Sequence, residues 1–398
     1  MTSPSPKHEA VLAVVPSVGF VEEDGAYYLD RKFVDGMARY RDEWGGPVRS
    51  IMRRTRRDLL PFGKTYSDKE LPFELRKIDG DAPLSAKDLE GANVALVSAD
   101  QHTQLHLSRI SASDRPPIVY IIEYTIGTRL KIIDVSAIPA HKKIRSSAWT
   151  LLTEMKRRAA LARAEGVQMN GAAAADLYGK LAASPLVYFD SRTTEDMYAD
   201  EGSMKTRRQR LSSGEPLRLA FSGRFERIKG VDHLPMIAAH LRDAGVNFTL
   251  ELFGAGSLEE TLKADIARFD LGASVRLVGN VDFATVLSPH LKNDIDLFVC
   301  CHRQGDPSCT YLETMSCGVP IAGYANPAFA GILKRTAGGW SVGVDDATAL
   351  ARKIVELDRN RQAIIAAADA ALDFARQHSF EKTFKRRIEH LKSVARNP

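Results

Sequence analysis

No apolar run in the 398 residues approaches the roughly 20 needed to cross a bilayer as a helix. The amino-terminal VLAVV is too short for the apolar stretch of a secretory signal, and the acids of FVEEDG soon follow it. The expectation is a cytoplasmic protein, with peripheral contact to the inner face of the cytoplasmic membrane as its route to lipid. Cysteine is scarce: Cys300, Cys301, Cys309 and Cys317 are all there are. They share one window but form no C-x2-C pair, and adjacent strand residues point to opposite faces. That argues against zinc and for buried thiols in a reducing compartment. Charge of one sign is lacking too. A net +5 is too small to predict nucleic-acid binding, and no aromatic ladder runs among the basic residues. One basic cluster breaks the evenness, VRSIMRRTRRD, with Arg49, Arg53, Arg54, Arg56 and Arg57. It reads either as a solvated face or as a patch for anionic lipid headgroups or an anionic acceptor.

What is present is alternation. The length exceeds what one hydrophobic core usually serves, so two domains are expected. AVLAVV, ANVALVSA, PPIVYIIEY, GVQMNG and PLVYFD read as buried strands of a first unit, with helices in YLDRKFVDGMARYRDEW and SSAWTLLTEMKRRAALARAE. LRLAFSG, FTLELFG, VRLVG, IDLFVCC, PIAGY and GGWSVG repeat the rhythm with helices between them. The boundaries predicted are 1–200 for the first domain, 201–215 for a polar linker, 216–378 for the second, and 379–398 for a last helix. The fold class is α/β: two doubly wound parallel-sheet domains facing a cleft, with ligands at the carboxyl ends of the strands.

Two stretches gather chemistry at such ends. In FSGRFERIKG a strand stops at Ser222 and Gly223, Arg224 follows, and Lys229-Gly230 opens the next helix. Two cations a short loop apart, beside a helix amino terminus, suit a diphosphate; a basic surface loop is the bland reading. In QGDPSCTYLETMSCGVPIAGY a short helix from Thr310 to Ser316 starts just beyond strand LFVCC. Its amino-terminal N–H groups, at Cys309, Thr310 and Tyr311, form a concavity for an anion or hydroxyl. Asp306 lies at its mouth and Glu313 on its first turn, although Thr310-x-x-Glu313 is also a capping box that needs no ligand.

These motifs, in this order, resemble the donor domain of retaining glycosyltransferases of family 4, the glycosyl transferases group 1. The resemblance is strong from about Leu217 to Ser341 and weaker before it. It implies a GT-B fold of two Rossmann-like domains and a nucleotide-sugar donor as co-substrate, without a cofactor or a metal. It further implies Gly223, Arg224 and Lys229 at the donor diphosphate, Glu313 on the ribose hydroxyls, the backbone of Cys309, Thr310 and Tyr311 at phosphate and sugar, and Gly279, Asn280 and Val281 beside the base. With the basic patch of Arg49, Arg53, Arg54, Arg56 and Arg57, the expected acceptor is a glycan or a lipid-linked precursor in surface polysaccharide synthesis. The final helix resembles the family's segment that crosses back to the first domain.

The chain departs from the family twice. Gly305 stands where the first glutamate of the E-x7-E motif falls, leaving Asp306 as its substitute. Glu123 stands where a strand-ending histidine falls: either it takes over contact with the donor sugar or the acceptor chemistry differs, and the bland reading is an ordinary polar strand terminus. Two other patterns are set aside. G-x-G in LELFGAGSLEE lacks the third glycine, which is Glu259, and a ribose-binding acid on the next strand. His102 and His106 in DQHTQLH have metal-ligand spacing but no third ligand, and read better as a helix face towards the cleft. A catalytically silent sugar-nucleotide-binding relative and a nucleotide-sugar 2-epimerase remain as alternatives.

Overall fold

The computed structural model describes residues 10–60, 63–78, 82–136, 138–191, 193–305 and 307–396. Seven parallel strands form a first sheet, in the spatial order Pro185–Tyr188, Gly166–Asn170, Ile118–Ile122, Val94–Ser98, Leu12–Val15, Val48–Arg53 and Glu74–Ile78. Six parallel strands form a second, in the order Val275–Gly279, Phe248–Phe253, Leu217–Ser222, Leu297–Cys300, Ile321–Tyr324 and Gly339–Val342. Every strand expected from the sequence is present. Runs such as LAVV, VALVS and LFVC are buried along their whole length, as strands covered by helices on both faces must be.

In each sheet the strand order reverses at one place. The first reverses between Leu12–Val15 and Val94–Ser98, the second between Leu217–Ser222 and Leu297–Cys300. At such a switch point the loops leaving neighbouring strands diverge to opposite faces and open a crevice at the carboxyl ends.

Five strands were not expected, two of them, Val48–Arg53 and Glu74–Ile78, in the first sheet. Val21–Glu23 and Ala26–Asp30 pair as a hairpin joined by Asp24 and Gly25, both at positive φ (51° and 78°), and Gly63–Tyr66 completes a small antiparallel sheet. The following helix, Arg31–Trp44, starts later than expected because Asp30 caps it, its carboxylate accepting from the Phe33 N–H at 3.1 Å. The basic cluster contains strand Val48–Arg53, inside the first sheet. Its arginines have partners: Arg49 lies 2.9 Å from Glu74, Arg54 2.6 Å from Glu22, Arg56 2.7 Å from Asp58, Arg57 bonds Glu23, and Arg53 donates to the Ala82 carbonyl. The cluster is therefore largely neutralised where it stands, and the anionic-lipid patch read into it has no support.

Residues 201–215 carry the helix Glu201–Ser212. Buried Arg207 donates to the carbonyls of Ile295, Gly318 and Cys317, and buried Arg210 pairs with Asp296 at 2.7 Å. These bonds lock that helix to the second sheet. The last helix, Phe380–Val394, turns back to the first, burying Phe384, Ile388 and Leu391 against Leu12 and Val94. From it Arg387 donates to Gln168 at 2.9 Å.

Candidate functional site

Strand Leu217–Ser222 delivers Gly223 to the switch point, and the loop after it is stitched to its neighbours by backbone. The Gly223 N–H donates to Phe253 and the Phe225 N–H to Ala255, at 3.0 and 2.9 Å. A Cβ on Gly254 would lie 2.0 Å from the Gly223 carbonyl, and one on Gly256 2.6 Å from that of Phe225. The G-x-G pair thus serves close packing of strand-end loops. The loop closes through the turn Arg227–Lys229 onto Gly230, whose φ of 67° and whose approach to the Cys301 carbonyl leave no room for a side chain. This geometry separates the two predicted cations. Lys229 is 8% exposed, inside the crevice, whereas Arg224 is exposed at its rim.

From the other side of the switch point comes helix Cys309–Ser316. Its N-cap is Ser308, so the third helical position belongs to Tyr311 and the capping box between Thr310 and Glu313 does not form. Glu313 is nonetheless buried, 7% exposed. The concavity is narrower than the sequence implied, because the Tyr311 N–H donates to the Ser308 carbonyl at 3.3 Å. The Tyr311 ring turns into the core, stacking on Phe329, and its hydroxyl accepts from Asn326 at 2.9 Å. That leaves the amino-terminal backbone at Cys309 and Thr310 as the part of the predicted concavity on the crevice side. Asp306 lies outside the described residues. Gly305 has a steric explanation: a Cβ there would sit 2.9 to 3.1 Å from three atoms of the Pro327 ring. Pro327 opens helix Pro327–Leu333, so a side chain at 305 would crowd a ring held by that helix and require a shift of a few tenths of an ångström.

Sequence reasoning missed His302, which follows strand Leu297–Cys300 by two residues. It is fully buried, and among the described residues neither ring nitrogen has a hydrogen-bond partner. Its ring packs edge-on to Phe221 and Tyr311, with Nε2 3.8 Å from where a Gly223 Cβ would be. Burial, and then the neighbouring Lys229 ammonium, push its pKa well below the usual value, so the ring is neutral. A buried imidazole with no partner beside a buried lysine is an incomplete polar site, which a ligand would complete. The only sequence signal was a polar residue immediately past a buried strand. Next to it, Arg303 is fully employed, pairing with Asp232 at 2.6 Å and with Asp345.

The first sheet presents acids to this crevice. Glu123 follows strand Ile118–Ile122, and Asp190 follows Pro185–Tyr188. The Cys309 thiol donates to Asp190 at 3.4 Å, joining the two domains at the amino terminus of the donor-side helix. Burial pushes the Glu123 carboxyl up to about 7, aided by the charges of Asp100 and Asp190 and opposed by Arg387 and the Asn170 amide. The Glu123 N–H donates to Asp100, which pairs with Arg129. A cavity of about 770 Å³ extends from Glu123 and Asp190 towards Tyr40 and Arg387. Gly279, Asn280 and Val281 stand two strands out from the switch point, at the edge of the second sheet, where the Gly279 carbonyl accepts from the Gly254 N–H at 2.9 Å. His102 and His106 do not share a helix but belong to two short turns. His102 packs edge-on against Trp149, and His106 lies 2.6 Å from the Leu84 carbonyl. Among the described residues no three His, Cys, Asp or Glu side chains converge as a metal site, and the four cysteines are free thiols.

Residues 203–370 match the family described as Glycosyl transferases group 1. A comparison with curated proteins returns no match. Among solved structures, sucrose-phosphate synthase from Thermosynechococcus elongatus is similar at a TM-score of 0.64 and 14% identity, over 96% of this chain and 98% of that one. HepE of Anabaena, in complex with UDP, reaches 0.62 at 16% identity over 96% and 99%. WaaG, a glycosyltransferase involved in lipopolysaccharide biosynthesis, reaches 0.54 at 14% over 96% and 99%. These likenesses run through both domains, and the fold is the GT-B arrangement expected from the sequence.

Proposed function

We propose that the protein moves a hexose, with retention of anomeric configuration, from a nucleoside-diphosphate sugar to a hydroxyl of a glycan or lipid-linked acceptor in surface polysaccharide synthesis. The observation that carries this reading is His302, buried at the switch point of the second sheet with neither ring nitrogen hydrogen-bonded, beside the ammonium of buried Lys229. The family match over residues 203–370 supports the reaction class, and the UDP held by HepE supplies the first nucleotide to try.

In this reading the bond between the anomeric carbon and the β-phosphate oxygen breaks while negative charge grows on the diphosphate. Lys229, Arg224 and the amino terminus of helix Cys309–Ser316 meet that charge, and neutral His302 donates one N–H to it. The sugar becomes oxocarbenium-like. The acceptor hydroxyl attacks the face the diphosphate is leaving, and its proton passes to the departing phosphate oxygen, so no protein base and no metal are required. Glu123, half protonated near neutral pH, holds a hydroxyl of the donor sugar from the opposite domain. Glu313 takes the ribose hydroxyls, and Gly279 to Val281 flank the base. The acceptor enters at the first sheet's own switch point, where a cavity of about 190 Å³ is lined by Ser17, Gly19, Arg53, Thr55 and Gln101.

Thermal-shift titration with UDP, GDP, ADP and their sugars tests the site, and donor turnover with and without chelator tests the chemistry. One nucleoside diphosphate should raise the melting temperature, and turnover should survive chelation. Absence of any nucleotide-induced shift would refute the donor site. A nucleotide shift without transfer or donor hydrolysis would leave a silent binder, and turnover restored only by added metal would refute the metal-free mechanism.

A further inference from the structure

Helices Ile126–Val135 and Ala140–Arg163 carry a face that neither the core nor the cleft uses. Of the thirteen large apolar side chains exposed among the described residues, nine lie between Tyr124 and Met155. Ile144 is 72% exposed, Met155 71% and Leu152 60%, with Leu151 and Trp149 more than half exposed. Ile144, Leu151 and Met155 are spaced i, i+7, i+11 and so share one side of their helix. Thr153, Glu154, Arg157, Ala160 and Leu161 are buried on the other side. The apolar stripe therefore points away from the protein's own sheet.

Charge is concentrated on the same two helices. Residues 126–163 contain nine Lys and Arg against Asp134 and Glu154 alone, an excess of seven positive charges where the whole chain carries +5. Glu154 is buried against Arg157 at 2.7 Å, and Asp134 sits 3.3 Å from Lys131. Lys142, Arg145 and Lys156 are exposed around the apolar stripe. A second copy of the chain would set two such positive faces against each other. Nucleic acid would find one exposed tryptophan and aliphatic side chains in place of a stacking platform. Long apolar side chains ringed by lysine and arginine suit a helix lying at the boundary between headgroups and acyl chains.

We propose that this helix pair seats the protein on a bilayer containing anionic lipid, with Ile144, Leu151 and Met155 at the acyl boundary and the basic side chains among the headgroups. Among the described residues no helix is long and apolar enough to cross a membrane, so the contact is interfacial. Helix Ile126–Val135 also abuts the turn Arg227–Lys229, which places the mouth of the crevice beside the lipid surface. The inference goes beyond the transfer reaction and stands without it, since it is read from binding alone.

The test is flotation of the full chain with vesicles of phosphatidylcholine alone and of phosphatidylcholine with equal phosphatidylglycerol, at low and high salt. The chain should float with the anionic vesicles, less with the neutral ones, and be released by salt. The triple variant Ile144→Ser, Leu151→Ser, Met155→Ser should lose flotation. The triple variant Lys142→Gln, Arg145→Gln, Lys156→Gln should bind on the order of 100-fold more weakly. Both sets are exposed, so an unchanged melting temperature confirms that each variant is folded. Absence of flotation, or flotation unaltered in the folded variants, overturns the proposal. A concentration-dependent dimer abolished by the apolar variant would overturn it in favour of a second copy.

Discussion

Replacing Glu123 by glutamine asks whether the acid at the end of strand Ile118–Ile122 is held against its own charge. In the unfolded chain this carboxyl titrates near 4.5, and in the folded protein near 7. A carboxyl whose pKa is raised on folding binds its proton more tightly in the native state. Its contribution is therefore intact below about 4.5, and stability is lost as pH climbs towards 7 and beyond. The rise from 4.5 to about 7 corresponds to about 3 kcal/mol by pH 8. Burial contributes most of that cost, with Asp100 and Asp190 adding to it. Glutamine has the same shape and no charge, so Glu123→Gln should match wild type near pH 4.5 and exceed it in stability by pH 8. Urea denaturation of both proteins across this range measures the difference. A difference that stays flat with pH would refute the reasoning, because a structural change alone has no cause to follow the titration of one carboxyl. Function separates in the same residue: Glu123→Ala should depress turnover far more than affinity for the free nucleoside diphosphate. Equal losses in both would remove Glu123 from the donor sugar.

Lys229→Ala and Arg224→Ala should each lower turnover more than ground-state donor affinity, by the 100- to 1,000-fold typical of a lost preorganised donor, with buried Lys229 the more sensitive. Near-normal rates in both variants, measured by donor consumption, would place the diphosphate elsewhere. His302→Phe should raise the melting temperature of the ligand-free protein, because an orphaned polar group buried at about 1–3 kcal/mol is removed, while nucleoside-diphosphate affinity falls about tenfold or more. Isothermal titration showing unchanged affinity would make His302 a packing residue. Gly305→Glu, which restores the family's residue, should destabilise the protein by about 1–3 kcal/mol through overpacking against Pro327 rather than improve donor binding. Tighter binding with unchanged stability would show that the proline yields.

The parallel sheets were legible in the sequence because strands buried on both faces must be apolar along their length, and LAVV, VALVS, IVYII and LFVC are. The alternation of such runs with helical patterns predicted two units with crevices at strand ends, and it placed Lys229 and Glu313 shortly past such ends, where both are buried. The hairpin at Asp24-Gly25 has its turn signal in the chain, beside a stronger helical pattern. Strand Val48–Arg53 was hidden by its arginines: VRSIMR has no regular alternation, and Ser50 is buried along with Ile51 and Met52. Tertiary structure decided the rest. Glu22, Glu23 and Glu74 neutralise the basic cluster from other strands, a pairing no local pattern encodes. Gly305 is small because Pro327, more than twenty residues later, returns to within 3.1 Å of the space a side chain would need. His302 became a site residue only when folding removed it from water without giving it a partner. The positive charge and exposed apolar side chains of residues 126–155 form a surface because the opposite side of their helix is buried. Composition counts residues, and only packing decides which of them face inward.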